Sequence, residues 1–231
     1  MKILLSLLLT LPLMGAEINT LTTEEKADGW QLLFNGHDLN NWRAYRSEDR
    51  PKAGWKVEEG ILKKLQGIPG GNMITKRKFK DYTLTWEGRV SQKGNNGLKY
   101  LVSEDRASAP GLEFQILDDN GHPDSKKGAK RQTGALYDIF PPAEDKILKP
   151  VGEWNRSRII VQGKHVEHWI NGSPVLKYEL ESPELIAAIA KSKFKKAAGF
   201  EKKIEGHIML TDHNDECSFR NVKIRPGVTK N

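Results

Sequence analysis

Glu113 and Gln115 stand two apart in the stretch LEFQIL, which runs straight into DDNGHPD with Asp118, His122 and Asp124. A carboxylate and an amide at alternate positions of a strand point to the same side. On a curved sheet such a pair lines a groove for sugar hydroxyls; on an ordinary outer sheet face it is simply wet. Asp118, His122 and Asp124 offer oxygen and nitrogen donors, a mixed shell that suits a divalent cation. Asp, Asn and Gly in this order also turn a chain without any ligand. Spacing alone leaves both readings open.

Three further positions carry chemistry-bearing side chains. His168 alternates with Val166 and Ile170, so it shares their face as a core histidine or one at a pocket edge. Asp212 and His213 close another strand just before Asn214 and Asp215, where a turn selects the same residue types. Arg220 lies in the next strand, where its guanidinium needs solvent or an anion. Several chemistries are excluded by pattern. The Asp118 loop fails as a calcium-binding EF-hand because its glycine comes too early and no glutamate stands at the twelfth position. There is no HExxH, paired-cysteine, GxSxG or phosphate-loop motif.

The elements that must position these residues are mostly strands. WKVEEGILKK reads as two short strands about Glu59-Gly60, and YTLTWEGRV alternates over 82–90. Further strands are expected over 30–34, 97–103, 112–117, 154–162 and 164–170, and in GHIMLTD and CSFRNVKIR. Gly163 and Asn171-Gly172 predict tight hairpin turns. Two helices interrupt the series. Thr22 with Glu25 forms a capping box, and Ser182-Pro183-Glu184 opens a helix through LIAAIAKSKF. Ten or more short strands without a repeat predict an all-β fold, a two-sheet antiparallel jelly-roll sandwich with one or two short helices.

The first residues, MKILLSLLLTLPLMGA, carry a lysine, an apolar run broken by Pro12, and a small-residue end. They predict a signal peptide over 1–16, cleaved near Ala16, and a periplasmic or secreted bacterial protein. The run is too short for a membrane span, so no integral membrane segment is expected after cleavage. A single β-sandwich domain is expected over 17–231. Cys217 is the one cysteine, which excludes an intramolecular disulfide. Lys and Arg number 37 against 30 Asp and Glu, but the runs KRK, KKGAKR and KSKFKK are scattered and read as solvated faces. Nucleic acid is not an expected partner.

In order along the chain, GWQLLFNGHDLNNWRAY, GNNGLKYLV, GLEFQILDDNGHPD, TGALYDIFPP, KPVGEWNRSRIIVQGKHVEHWINGSPV and GHIMLTDHNDECSFRNVKIR resemble the bacterial 3-keto-disaccharide hydrolase family. The likeness covers about 29–225, with LTDHND where the family commonly reads LQDHG, so that Thr211 replaces a glutamine. It implies a concanavalin A-like, laminarinase-like jelly roll acting on glycosides oxidised at C3. A C3 ketone acidifies the C2 proton; a base removes it, the C1 substituent leaves, and water adds to the unsaturated ketose. This chemistry needs a base, a group stabilising the enolate, and an acid for the departing oxygen. The resemblance makes Glu113, His168 and Lys99 the catalytic candidates: Glu113 as acid or base, His168 as general acid or base, Lys99 as enolate stabiliser or base. It places Gln115, Asp118, His122, Tyr137, His213 and Arg220 around the sugar. A divalent cation on Asp118, His122 and Asp124 is possible and no other cofactor is expected. The partner is an oxidised carbohydrate. Two rivals remain: a carbohydrate-binding module without catalysis, and an ordinary endo-glucanase, which Gln115 disfavours because that fold pairs two acids at this spacing.

Overall fold

The computed structural model describes residues 17–106 and 109–227; the signal-peptide expectation lies outside them. Thirteen strands follow one another: β1 (Gln31–Leu32), β2 (Trp42–Ala44), β3 (Trp55–Glu58), β4 (Ile61–Lys64), β5 (Met73–Thr75), β6 (Tyr82–Val90), β7 (Asn95–Val102), β8 (Leu112–Leu117), β9 (Asn155–Gln162), β10 (His165–Ile170), β11 (Ser173–Glu179), β12 (His207–Leu210) and β13 (Cys217–Pro226). They form two antiparallel sheets. The larger runs β11-β10-β9-β6-β13-β4-β3, with β1 also on β13; the smaller runs β2-β5-β12-β7-β8. This is the two-sheet sandwich expected from the strand count.

Turn chemistry sets the registers. Glu59 (φ 52°) and Gly60 (φ 74°) join β3 to β4, and Asn171 (φ 48°) and Gly172 (φ 93°) join β10 to β11. Both central residues take positive φ, the primed turn whose twist matches the flanking strands. Helix α1 (Thr23–Ala27) starts on the expected capping box. Helix α2 (Pro183–Ala190) starts on Ser182 but stops short of the KSKFKK run. Strands β2, β5 and β11 carry no clear alternation in sequence. The first two are three residues long, and β11 is an edge strand with Pro174 at a register shift, a position that tolerates proline's missing donor.

The core lies between the sheets. Leu84, Trp86, Ile159, Val166 and Phe219 of the larger sheet meet Leu98, Tyr100, Leu112 and Phe114 of the smaller. Trp86 meets Phe114 edge-on at 5.0 Å between centroids. Burying side chains of this size stabilises the sandwich by about 1.5–3 kcal/mol each. No helix among the described residues is long and apolar enough to cross a membrane.

Candidate active site

β8 is buried on both sides, and all six of its residues are covered. Of the two readings left open, a wet outer face is not what the structure has, and the 133–137 segment adds to the strand's edge: Tyr137 N–H donates to the Glu113 carbonyl (3.0 Å) and Gly134 N–H to that of Gln115 (2.9 Å). Glu113 and Gln115 nevertheless point away from the core, opposite Lys99 and Gly97 of β7. The candidate site therefore lies on the outer face of the smaller sheet. Met209 pairs with Lys99 and Ile74 with Met209, and Ile74, Val102 and Met209 form a fully buried apolar cluster next to these groups.

Glu113 sits at its centre, 4% exposed. Lys99 Nζ lies 3.2 Å from Oε2, and His213 Nε2 lies 3.8 Å from Oε1. Oε1 has no hydrogen-bond partner, an arrangement that costs about 1–3 kcal/mol for a buried acceptor. It lies over Gly97, where a Cβ would come within 2.1 Å of it. Burial alone raises the carboxyl pKa; the charges of Lys99 and His213 outweigh it and hold the group down at about 2. Glu113 is an ionised carboxylate whose Oε1 makes no hydrogen bond.

A second network borders the first. Tyr137 OH donates to Asp124 Oδ2 (2.7 Å), and Arg131 bridges Asp124 (2.9 Å) and Asp138 (2.8 Å). Burial and the bond to Asp124 raise the Tyr137 pKa, so the phenol stays protonated. For Asp124, the Tyr137, Lys127 and Arg131 contacts outweigh burial and bring the carboxyl down to about 2.

The sequence matches the 3-keto-α-glucoside-1,2-lyase-like domain over residues 29–225. The chain belongs to that family. A Bacteroides thetaiotaomicron protein named 3-keto-disaccharide hydrolase is 35% identical over 246 aligned positions, covering 92% of this chain and 83% of the relative. A crystal structure from Parabacteroides distasonis, designated a glycosyl hydrolase, superposes with a TM-score of 0.81 at 31% identity, covering 91% of this chain and all of the other. A second protein of that organism, at 23% identity and a TM-score of 0.68, shares the fold. Membership makes this chain a glycoside-cleaving enzyme with a jelly-roll architecture.

Against the expectations that the family resemblance raised, the structure gathers Glu113, Gln115, Lys99, Tyr137 and His213 on or beside one face. Gln115 is 2% exposed and its Oε1 reaches only the Ile116 N–H, at 3.3 Å. Two candidates lie elsewhere. His168 is a correction: it points inward from β10, fully buried, with Nδ1 2.9 Å from the Gly134 carbonyl and Nε2 2.8 Å from Tyr100 OH. The carbonyl only accepts, so Nδ1 carries the proton and Nε2 accepts from Tyr100, which in turn contacts Tyr178 OH. Burial lowers its pKa to about 4. It is a neutral core histidine and reaches no substrate. Arg220 is the second correction. It projects from the outer face of the larger sheet, where Nε bonds Glu87 at 2.6 Å and the guanidinium stacks 4.3 Å from the Trp154 ring.

The loop candidates are held by the loop itself. Asp118 Oδ2 accepts from Lys93 N–H (2.9 Å), and Oδ1 from Gly121 (2.8 Å) and Asn120 (3.1 Å). A Cβ at Gly121 would meet Asp118 Oδ2 at 2.2 Å, which explains the glycine. His122 Nδ1 accepts from Asp124 N–H at 3.0 Å. Asp118, His122 and Asp124, considered as possible cation ligands, do not converge, and no three His, Cys, Asp or Glu among the described residues are arranged to hold a metal. Thr211, where the family commonly has glutamine, is 2% exposed and bonds the Gly97 carbonyl at 3.1 Å.

Sequence reading missed Lys193. It belongs to KSKFKK, taken as a solvated face, but its Nζ lies 4.0 Å from the Tyr137 ring centroid. Desolvation, countered by the Glu113 charge, lowers its pKa, with Lys99 and Arg131 adding repulsion. Only the return of the chain after α2 brings it there, so no local pattern marks it.

Proposed function

We propose that the outer face of the smaller sheet cleaves glycosides oxidised at C3 by elimination and hydration. The observation that carries this reading is the Glu113 carboxylate, ionised and buried, with Lys99 on one oxygen and His213 3.8 Å from the other, which makes no hydrogen bond. Glu113 takes the C2 proton. The C2–H electron pair passes into the enolate of the C3 ketone, whose oxygen Lys99 receives. As Lys99 turns to that oxygen, Glu113 loses its countercharge and becomes a stronger base, which offsets its low resting pKa. The enolate expels the C1 oxygen, leaving a C1=C2 enone, and His213, 40% exposed beside Glu113, is placed to protonate the leaving group. Water then adds at C1 and a proton returns to C2, giving a free 3-keto sugar and the released alcohol. Tyr137 and Lys193, which lie against each other beside Glu113, border the hydroxyls.

A 3-keto-glucoside deuterated at C2 tests the sequence of steps. The expected result is slowed alcohol release, with solvent protons at C2 of the product. Release at an unchanged rate with full retention of the C2 deuterium refutes it. The signal-like sequence at 1–16 supports export to the periplasm or medium. N-terminal sequencing of protein from a periplasmic fraction checks that, with a mature end beginning near Glu17 as the expected outcome.

A further inference from the structure

The face of the larger sheet that looks away from the core carries cations at alternate strand positions. Arg156 and Arg158 of β9, Arg220, Lys223 and Arg225 of β13, and Arg89 of β6 all project there. Register aligns them in rows: Arg220 and Arg156 both stand opposite Glu87, and Lys223 and Arg158 both stand opposite Thr85. Rows and strands are spaced by roughly 7 and 5 Å. Two of these cations already have carboxylate partners, Arg220 with Glu87 (2.6 Å) and Lys223 with Glu25 (2.7 Å). Among the described residues, no carboxylate lies within 4.0 Å of Arg89, Arg156, Arg158 or Arg225.

These guanidinium groups are held in place. Arg158 lies 5.3 Å from the Trp169 ring centroid, Arg89 4.7 Å from Trp154, and Arg225 5.5 Å from Trp30. A guanidinium over an aromatic ring loses freedom while keeping its charge, which favours recognition of oxyanions. Arg156, Arg158, Trp169 and Lys149 line a groove of about 310 Å³. Burial, followed by repulsion from Arg156 and Arg225 and partly offset by Glu167, lowers the Arg158 pKa.

We propose that this face binds an anionic polysaccharide, one carrying carboxylate or sulfate groups along its chain. The site faces away from Glu113, on the other side of the sandwich, and stands independently of the catalytic reading. A guanidinium row on a rigid sheet matches anions repeated along a stiff polymer. Single-stranded nucleic acid is disfavoured because base stacking needs an open aromatic face, and these rings already carry guanidinium groups.

Calorimetry of the full chain with polygalacturonate, heparin, uncharged dextran, duplex DNA and anionic lipid vesicles tests the proposal. The expected result is binding to polygalacturonate or heparin that weakens as salt rises, with none to dextran. R156A/R158A is expected to weaken that binding about tenfold or more, with melting temperature and glycoside cleavage unchanged. R156Q/R158Q, which keeps two polar side chains, serves if the alanine pair folds poorly. Three outcomes overturn the proposal: no binding to either charged polysaccharide at low salt, equal binding by the variant, or tighter binding to DNA, vesicles or dextran.

Discussion

Gly97 and Glu113 approach so closely across β7 and β8 that a Cβ at position 97 would sit 2.1 Å from Glu113 Oε1. The contact ties a backbone choice on one strand to the placement of the carboxylate on the next. Gly97→Ala must push that carboxylate aside, and a displacement of about 1 Å costs on the order of 10²-fold in turnover. The expected result is a drop of that size in kcat on a 3-keto-glucoside. Combining Gly97→Ala with Glu113→Gln should add little to the loss from Glu113→Gln alone, since both act through one group.

Removing the carboxylate itself should cost about 10²-fold or more in kcat if Glu113 transfers the proton. Its pKa of about 2 adds a signature. The group stays ionised through neutral and mildly acid solution, so an acid limb of kcat/KM above about pH 4 belongs to another group. Glu113→Gln should lower the whole profile without moving that limb. A limb that vanishes with the substitution contradicts the assignment.

Lys64 holds Asp212, the residue next to His213. Its side chain is fully buried, bonds the carbonyls of Leu65 (2.7 Å) and Ile68 (2.9 Å), and pairs with Asp212 at 2.9 Å. Asp212 in turn accepts from the N–H groups of Gly70 (2.7 Å) and Gly71 (2.8 Å). Lys64→Met strands that carboxylate and should cost about 3–5 kcal/mol in denaturant unfolding. Lys64→Met with Asp212→Asn should recover part of this, because an amide oxygen still accepts from both glycines without a buried charge.

His168 belongs to stability rather than to turnover. Its pKa falls from 6.5 in the unfolded chain to about 4 in the fold. The unfolded state therefore binds more protons between those values, so stability present above about pH 6.5 is lost as pH falls toward 4. The difference amounts to about 3 kcal/mol. His168→Leu should remove this slope from the unfolding free energy. It should also lower stability at pH 7 by about 1–3 kcal/mol, by depriving Tyr100 OH of its acceptor. Turnover per folded molecule should stay close to that of the unaltered protein.

Alternation and turn residues made most of the strands legible. YTLTWEGRV, LEFQIL, HVEHWI and the Asn171-Gly172 hairpin carry a period of two and positive-φ turns that local sterics dictate. The same period put Glu113 and Gln115 on one side of β8, and placed His168 with Val166 and Ile170. Residue type and order thus determined the sandwich, the face of each side chain and the family. Which face became the site depended on contacts between segments far apart in the chain. Lys99 and His213 converge on Glu113 from β7 and from the turn after β12, and Lys193 arrives from beyond α2. The 133–137 segment covers the edge that a lone strand would leave wet. His168 and Arg220 went the other way, one sealed between the sheets and one onto the far face. Period two says which residues share a side of a strand. Only the packing of two sheets decides whether that side meets core, substrate or solvent, because burial and charge pairing are properties of residues brought together by the fold.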